Sequence, residues 1–225
     1  MKNLIMVPVL MVLVDIGVGA VRIRNPYVDE WKAFKLEHKK NYNKTQNAQH
    51  MMNFMNTKYE VAKHNQRYQR GEVSYKLAVN KFSDLTLEEF TSTMTNFELA
   101  EHSLNSWKVE PKDFEYLESR RKEEYFLYPE PAVIDASHLS FKQYGGGVYY
   151  EENCSSPMKS LNHAVLVIGY GSDELGGDYW LVKNSFGSDW GEDGYIQIAR
   201  STHSHTHTHC RSIAFFSIRS LVNNN

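Results

Sequence analysis

Cysteine is the residue that this chain has least of. The 225 residues include two cysteines, Cys154 and Cys210, so at most one disulfide can form within the chain. No thiol is present among the first 153 residues. Any cysteine that acts as a nucleophile must therefore be Cys154 or Cys210.

An excess of charge of either sign is also missing. The formal net charge is −2, which gives no electrostatic reason to expect a nucleic-acid or membrane partner. The apolar run from Leu4 to Val14 is too short to span a bilayer. What is present is a globular composition, with 41% hydrophobic and 23% charged residues, and a length that suits one or two domains.

The first twenty residues have the pattern of an export signal. Lys2 is basic, Leu4 to Val14 is apolar, and Val18-Gly-Ala20 supplies the small residues of a cleavage site. We predict a signal peptide over residues 1–20, with an uncleaved anchor as the alternative. Export would let the two cysteines form a disulfide, with two free thiols as the alternative.

Two helices are predicted near the start of the remaining chain. Asp29 is a candidate N-cap for the first helix, which carries Trp31 and Phe34. The second helix is predicted from about Thr45 to Arg70, because apolar residues recur there at steps of three and four: Met51, Phe54, Met55, Tyr59 and Ala62.

A strand and a third helical turn complete this unit over residues 25–92. Alternation at Tyr75, Leu77 and Val79 predicts a short strand. The capping box Thr86-x-x-Glu89 predicts a helical turn through Phe90. By contrast, residues 93–128 carry a crowded mixture of charged and aromatic side chains, typical of a solvated linker or an exposed helix.

A histidine and an asparagine border two strand-like apolar runs in the second half of the chain. His163 precedes the first run, and Asn184 follows the second. If the two strands are neighbours, the two side chains meet. The asparagine oxygen could then accept a hydrogen bond from Nδ1 of His163 and leave Nε2 facing a nucleophile. The alternative is a core histidine beside a turn asparagine.

The wording around this pair resembles the papain family of cysteine proteases, and most closely its cathepsin L branch. The segment 162–171 matches the family pattern N/D-H-A/G-V-x-x-x-G-Y-G, and 179–195 matches Y-W-x-x-K-N-S-W-G-x-x-W-G-x-x-G-Y at nearly every position. One departure is Phe186, which stands where the family usually has tryptophan. The resemblance implies an α+β fold, with a helical inhibitor-type prodomain followed by the β-barrel half of a papain-like domain.

The N-terminal unit resembles the inhibitory propeptide of cathepsin L-like zymogens. The resemblance rests on Trp31-x-x-Phe34-Lys35 and on Asn80-Lys-Phe82-Ser-Asp84 with the residues that follow. The domains it implies are a propeptide over 25–92, an unassigned linker over 93–128 and part of the peptidase domain over 129–222. The family's long helix carries Glu-Arg-Phe-Asn-Ile-Asn, where this chain has Gln46, His50, Phe54, Thr57, Val61 and Asn65.

The resemblance also assigns roles to individual residues. It implies that His163 acts as general base and acid and that Asn184 orients it. Phe186 and Trp190 would shield the pair from water. The implied substrate pocket includes Ala136, Leu161 and Phe216, and the implied disulfide joins Cys154 to Cys210. No cofactor or metal is implied, and the expected destination is the secretory pathway, either lysosomal or extracellular.

Asn43 begins the sequon Asn43-Lys-Thr45, which can be N-glycosylated in an exported chain. A second unusual feature is the tract His203 to His209, where four histidines alternate with serine and threonine. We interpret the tract as a polar hairpin insertion. A divalent-metal site is the alternative.

The nucleophile that this resemblance calls for is missing. The family's cysteine lies about 130 residues before the histidine, which in this chain falls near residue 33 and inside the propeptide-like helix. Cys154 is nine residues from His163 and follows Glu151 and Glu152. Acidic neighbours raise the pKa of a thiol, so Cys154 is a poor candidate.

Three functions stay open from the sequence. The first is a cathepsin L-like endopeptidase precursor by descent, acting on proteins or peptides but inactive without its nucleophile. The second is an inhibitor of other cysteine proteases through residues 25–92. The third is a truncated or mispredicted gene product with no selected activity.

Overall fold

The computed structural model describes residues 25–94, 125–151 and 162–200, together with strands at 13–14, 23–24 and 216–217. Residues 125–130 and those three short strands are described by their backbone alone. Strand β1, Leu13–Val14, pairs antiparallel with β2, Ile23–Arg24. No helix in the described ranges has the length and apolar character needed to cross a membrane.

Helix α1 spans Pro26–Glu37 and begins earlier than its predicted cap. The Asn25 side chain accepts a hydrogen bond from the Tyr27 backbone N–H at 3.1 Å, and Pro26 occupies the first helical position. Asp29 instead lies in the first turn. The prediction of Asp29 as N-cap was wrong because Asn25 followed by proline is the stronger start signal.

Helix α2 spans Lys44–Gln69, within one residue of the prediction at each end. Its N-terminus is a full capping box, in which the Asn43 side chain accepts from the backbone of Gln46 while the Gln46 side chain accepts from the backbone of Asn43. The two helices close on a small aromatic core of Trp31, Phe34 and Phe54.

Strand β3, Tyr75–Leu77, ends before Val79, which is 41% exposed and not part of the strand. Helix α3, Leu87–Met94, opens at the expected capping box. There the Glu89 carboxylate accepts from the Thr86 backbone at 2.7 Å, and Thr86 Oγ1 accepts from the Glu89 backbone at 3.1 Å.

The second half of the chain forms most of a seven-stranded sheet. Its strands are β4 (Tyr125–Ile134), β5 (Tyr144–Tyr149), β6 (His163–Asp173), β7 (Gly177–Lys183), β8 (Tyr195–Ala199) and β9 (Phe216–Ser217), with the short helix α4 (Leu139–Lys142) between β4 and β5. The strand order is β3-β5-β8-β7-β6-β4-β9. The β5–β8 pair is parallel, and the other described pairs are antiparallel.

The N-terminal unit contributes directly to this sheet. Strand β3 pairs antiparallel with β5 and forms an edge of the sheet. Side chains from α2, β3, the turn after β3 and α3 join the main hydrophobic core together with residues of β4 to β8. The prediction of an α+β fold is confirmed. The helical unit and the β-rich half share one core.

Candidate active site

His163 and Asn184 lie side by side because of the strands that carry them. His163 is the first residue of β6, and Asn184 directly follows β7. The two strands form an antiparallel pair in which Leu166 is opposite Lys183. His163 Nε2 donates to Asn184 Oδ1 at 2.8 Å, and both side chains are buried. The expected meeting of the two residues therefore occurs.

The nitrogen that makes this bond differs from the one we expected. Asn184 accepts from Nε2, and the expectation for Nδ1 was wrong. A neutral imidazole that donates from Nε2 keeps its lone pair on Nδ1. Nδ1 is therefore the atom that can accept a proton from a nucleophile. Sequence spacing fixes which residues meet but not which edge of the ring faces the partner.

Burial controls the charge of this histidine. Removal from water lowers the pKa of His163 to about 4, and the hydrogen bond to Asn184 opposes part of that fall. The ring is therefore neutral at pH 7. Asn184 Oδ1 also accepts from the Ser185 backbone at 2.7 Å, which fixes the amide beside the ring.

Phe186 covers the histidine ring. The two rings stack with centroids 4.8 Å apart and planes 27° apart, and the edge of Phe141 approaches His163 at 6.2 Å. The ring centroids of Trp190 and Phe186 are 5.3 Å apart. Trp190 also donates from Nε1 to the Lys142 carbonyl at 3.1 Å. Phe186 thus contacts the pair directly, while Trp190 packs behind it.

The helical unit also contacts the Phe186 ring. Phe82, in the turn after β3, lies 5.4 Å from Phe186, and Phe90 of α3 lies 5.6 Å from it. Both rings are buried. Sequence reasoning had named them only as pattern positions, since nothing in their spacing reveals a partner about a hundred residues away.

Lys142 of α4 is a second buried base, and its contacts join α4 to the turn after β3. Its Nζ donates to the Leu85 carbonyl at 2.5 Å, and its own carbonyl accepts from Asn80 Nδ2 at 2.9 Å. Burial lowers the pKa of Lys142 to about 8, while the negative charges of Asp84 and Glu89 oppose the change. The turn and α4 are therefore joined by reciprocal side-chain bonds that the sequence did not predict.

Asp84, in the turn after β3, binds residues of α2 and of the loop that precedes α2. Its buried carboxylate binds Lys40 Nζ at 3.0 Å and also accepts a hydrogen bond from the Tyr42 hydroxyl. Burial, followed by the bond to Asp84, raises the pKa of Tyr42. His50 donates from Nδ1 to the Asp84 carbonyl at 2.9 Å. His50 therefore anchors the helix to the turn at the position where the family has arginine.

The structure describes only some of the other residues that the resemblance assigned. Ala136 is fully buried in the main core. Phe216 belongs to β9, where its backbone pairs with Val133 of β4. Leu161, Cys154, Cys210 and the tract His203 to His209 lie outside the described residues. Asn43 is exposed, and its side-chain oxygen caps α2.

In the described parts of the chain, no group of three or more His, Cys, Asp or Glu side chains is arranged to hold a metal ion. Among those residues the site thus consists of one neutral base, its amide partner and a cover of aromatic rings. This arrangement can hold an imidazole in a fixed orientation and accept a proton at Nδ1. The bond-forming atom must come from another group.

Comparison with known proteins gives this arrangement a family. The family model described as "Papain family cysteine protease" matches residues 22–216. The "Cathepsin L-like peptidase" of Aedes aegypti is 26% identical over 325 positions, which cover 88% of this chain and 95% of that protein. The "Cathepsin J" of Mus musculus is 56% identical over 80 residues, or 34% of this chain and 23% of that protein.

A solved structure supports the fold. Procathepsin L 3 of the Tenebrio molitor larval midgut superposes with a TM-score of 0.59 and 22% identity, covering 84% of this chain and 98% of that one. The alignment with the Aedes protein extends over 325 positions, although this chain has only 225 residues. A hundred or more positions of that relative therefore stand opposite gaps in this chain.

Proposed function

This chain belongs to the papain family of cysteine proteases and is cathepsin L-like, and from that premise we propose that it is a proenzyme-type member unable to hydrolyse peptide bonds. The observation that carries the proposal is a well-formed His163–Asn184 pair in a chain whose only cysteines are Cys154 and Cys210. The base and its orienting amide are present, whereas Cys154 follows Glu151 and Glu152 and is a poor nucleophile.

The retained residues would serve a thiol reaction as follows. Nδ1 of His163 would accept the proton of a thiol and return it to the amine that leaves. Asn184 would hold the ring at the required angle, and Phe186 would keep water from their hydrogen bond. The sulfur of the thiolate is the atom that attacks the carbonyl carbon. Without it, the reaction stops before any bond forms.

Assays of hydrolysis and of thiol labelling test the proposal together. The purified chain, reduced and assayed at acidic pH beside an active cathepsin L-like enzyme, should neither release coumarin from a peptidyl substrate nor react with an epoxide thiol probe. A Cys154→Ala variant is the matched control. Stoichiometric labelling that this variant abolishes would contradict the proposal and identify Cys154 as the nucleophile.

Sequencing of the transcript separates an inactive protein from an incomplete gene product. The gaps in the alignment with the Aedes relative are the motivating observation. An in-frame segment encoding Cys-Gly-Ser-Cys-Trp between the codons for residues 95 and 128 would contradict the proposal. The gene product would then be an ordinary protease. A continuous transcript as written would support an inactive family member.

Inhibition of other cysteine proteases is a second candidate function. It is favoured by the rings of Phe82 and Phe90, which the helical unit packs on Phe186 beside the histidine. The chain, and separately its residues 25–92, should inhibit an active cathepsin L-like enzyme at micromolar concentration. A Phe82→Ala/Phe90→Ala variant should inhibit less. Equal inhibition by the wild type and the double variant, or no inhibition by either, would dismiss this candidate function.

We further propose that the chain enters the secretory pathway and is glycosylated at Asn43. Support comes from the apolar segment Leu4 to Val14 after Lys2 and from the exposure of Asn43 and Thr45. Expression in insect cells should give a secreted product whose mass falls on treatment with a glycosidase. Thr45→Ala removes the sequon but keeps the Asn43 cap, so it should abolish that mass change.

A further inference from the structure

The loop that carries the histidine cover, residues 184–190, holds a lysine of the helical unit. Lys81 Nζ donates to the Phe186 carbonyl at 2.6 Å and binds Asp189 Oδ1 at 2.8 Å. We call the Phe186 carbonyl and the Asp189 carboxylate, with Gly187 between them, the lysine cradle. Its two acceptors bind one ammonium group from two directions.

Gly187 leaves space for that ammonium group. Its φ is +88°, a conformation that other residues rarely adopt. A Cβ atom at this position would lie 3.2 Å from Asp189 Oδ1 and 3.4 Å from Lys81 Nζ. The cradle therefore depends on glycine for its backbone conformation, and a Cβ here would crowd the Asp189 carboxylate. A compact ammonium suits such a space better than the wider, planar guanidinium of arginine.

The neighbours of Lys81 fix the direction in which it extends. On one side, Asn80 is buried and binds the Lys142 carbonyl. On the other, Phe82 packs on Phe186. The turn itself is tied by the Asn80 side chain, which accepts from the Phe82 backbone at 2.9 Å. Lys81 is thus held over the loop by contacts on both flanks.

The cradle and the histidine cover share one residue, Phe186. Phe186 supplies its carbonyl to Lys81 and its ring to His163, which it stacks on at 4.8 Å. A bond that fixes the Phe186 backbone also limits where its ring can lie.

We propose that residues 186–189 form a binding site for a primary ammonium group, that Lys81 fills it, and that this contact positions the Phe186 ring over His163. Lys81 is then a positioning residue that acts through Phe186. The inference goes beyond the proposed function, because it concerns the loop and holds whether or not the chain cleaves peptides.

Chemical rescue tests the cradle directly. Lys81→Ala removes Cγ, Cδ, Cε and the ammonium group, and leaves a space that n-propylammonium matches in length. NMR titration of the His163 ring, assigned with a His163→Gln variant, reports its cover. The wild-type midpoint is expected near pH 4. Lys81→Ala should raise it by about half a pH unit or more, because water reaches the ring.

Addition of n-propylammonium chloride should return the midpoint of Lys81→Ala toward the wild-type value. Tetramethylammonium chloride at the same concentration should not, because it has no N–H to donate. Lys63→Ala is the matched control, since Lys63 is exposed and its ion pair with Glu60 lies on α2. This control should leave the His163 midpoint unchanged.

Two results would overturn the proposal: an unchanged midpoint in Lys81→Ala, or equal rescue by both ammonium salts. If Lys81→Ala does not fold, Asp189→Asn tests the cradle from the loop side. Asp189→Asn should also raise the midpoint of the His163 titration. An unchanged midpoint would again count against the cradle. Because no substrate is used, the outcome is independent of whether the chain hydrolyses peptides.

Discussion

His163 shows how burial sets the charge of one residue. In the folded chain its pKa is lowered to about 4, below the unfolded value of about 6.5. The stabilising neutral form is fully present above pH 6.5, and its contribution is lost as the pH falls toward 4. At about 1.4 kcal/mol per pKa unit, the loss is about 3 kcal/mol.

Two histidine variants should change the acid stability in opposite directions. We expect His163→Gln to lose less unfolding free energy than the wild type between pH 7 and pH 4.5 in urea titrations. The bond to Asp135 raises the pKa of His138, so its stabilisation is present at low pH and is lost as the pH rises. His138→Gln should therefore lose more than the wild type. Parallel profiles for all three proteins would contradict this explanation.

Lys142 gives a prediction on the alkaline side. Its pKa of about 8 in the folded chain is below the ordinary value for lysine, so the unfolded chain holds more protons between these two values. Stability from this group should therefore rise with pH through that window. Lys142→Met should lack the rise in urea unfolding between pH 7.5 and 9.5. Lys63→Met, at an exposed position, should keep it.

At the scale of elements, the helices were predictable because their signals are local. Apolar residues at steps of three and four in α2 require only that one face of this helix is buried. The structure confirms both predicted ends of α2 within one residue. The predicted start of α1 was wrong because it rested on Asp29 alone, whereas Asn25 before Pro26 caps the helix. A strong capping pair overrides an acidic residue later in the first turn.

Strand β4 was the element that sequence reasoning missed in part. Tyr125 to Tyr128 had been assigned to the linker, but they belong to β4. Two prolines, Pro129 and Pro131, interrupt this segment, and proline normally argues against a paired strand. The pairing with β6 is irregular between Phe126 and Glu130. That irregularity depends on the neighbouring strand and has no local sequence signal.

The cap of α2 gives a prediction at this scale. Asn43→Ala removes the acceptor for the backbone N–H groups of Thr45 and Gln46 and should lower the free energy of unfolding by about 1 kcal/mol. Urea unfolding followed by helical circular dichroism measures the change. Lys44→Ala, at an exposed position of the same first turn, is the control and should have little effect. Equal losses in the two variants would show that the Asn43 cap is not the cause.

At the scale of the whole molecule, the helical unit and the sheet share a core. Within the described residues, Val61, Phe82 and Phe90 join one cluster with the strands. Burial of each such side chain contributes about 1.5–3 kcal/mol.

A shared core predicts a single unfolding transition. Loss of the helical dichroism, which reports mainly α1 to α3, should coincide in urea with loss of hydrogen-exchange protection in β6 and β7. Phe82→Ala should shift both midpoints together, at a cost of about 3–5 kcal/mol. Leu36→Ala, at a position that is 82% exposed, should shift neither. Two separate transitions would show that the halves fold independently.

The sequence by itself determined the family, the α+β class, the helices and the identity of the His163–Asn184 pair. Each of these rests on local periodicity, on capping or on motif residues bounded by recognisable strands. Only the tertiary structure decided that Nε2 faces Asn184, that Phe82 and Phe90 pack against Phe186, and that Lys81 binds the 184–190 loop. These contacts join residues about a hundred positions apart or depend on the orientation of a ring, and short-range patterns carry no information about either.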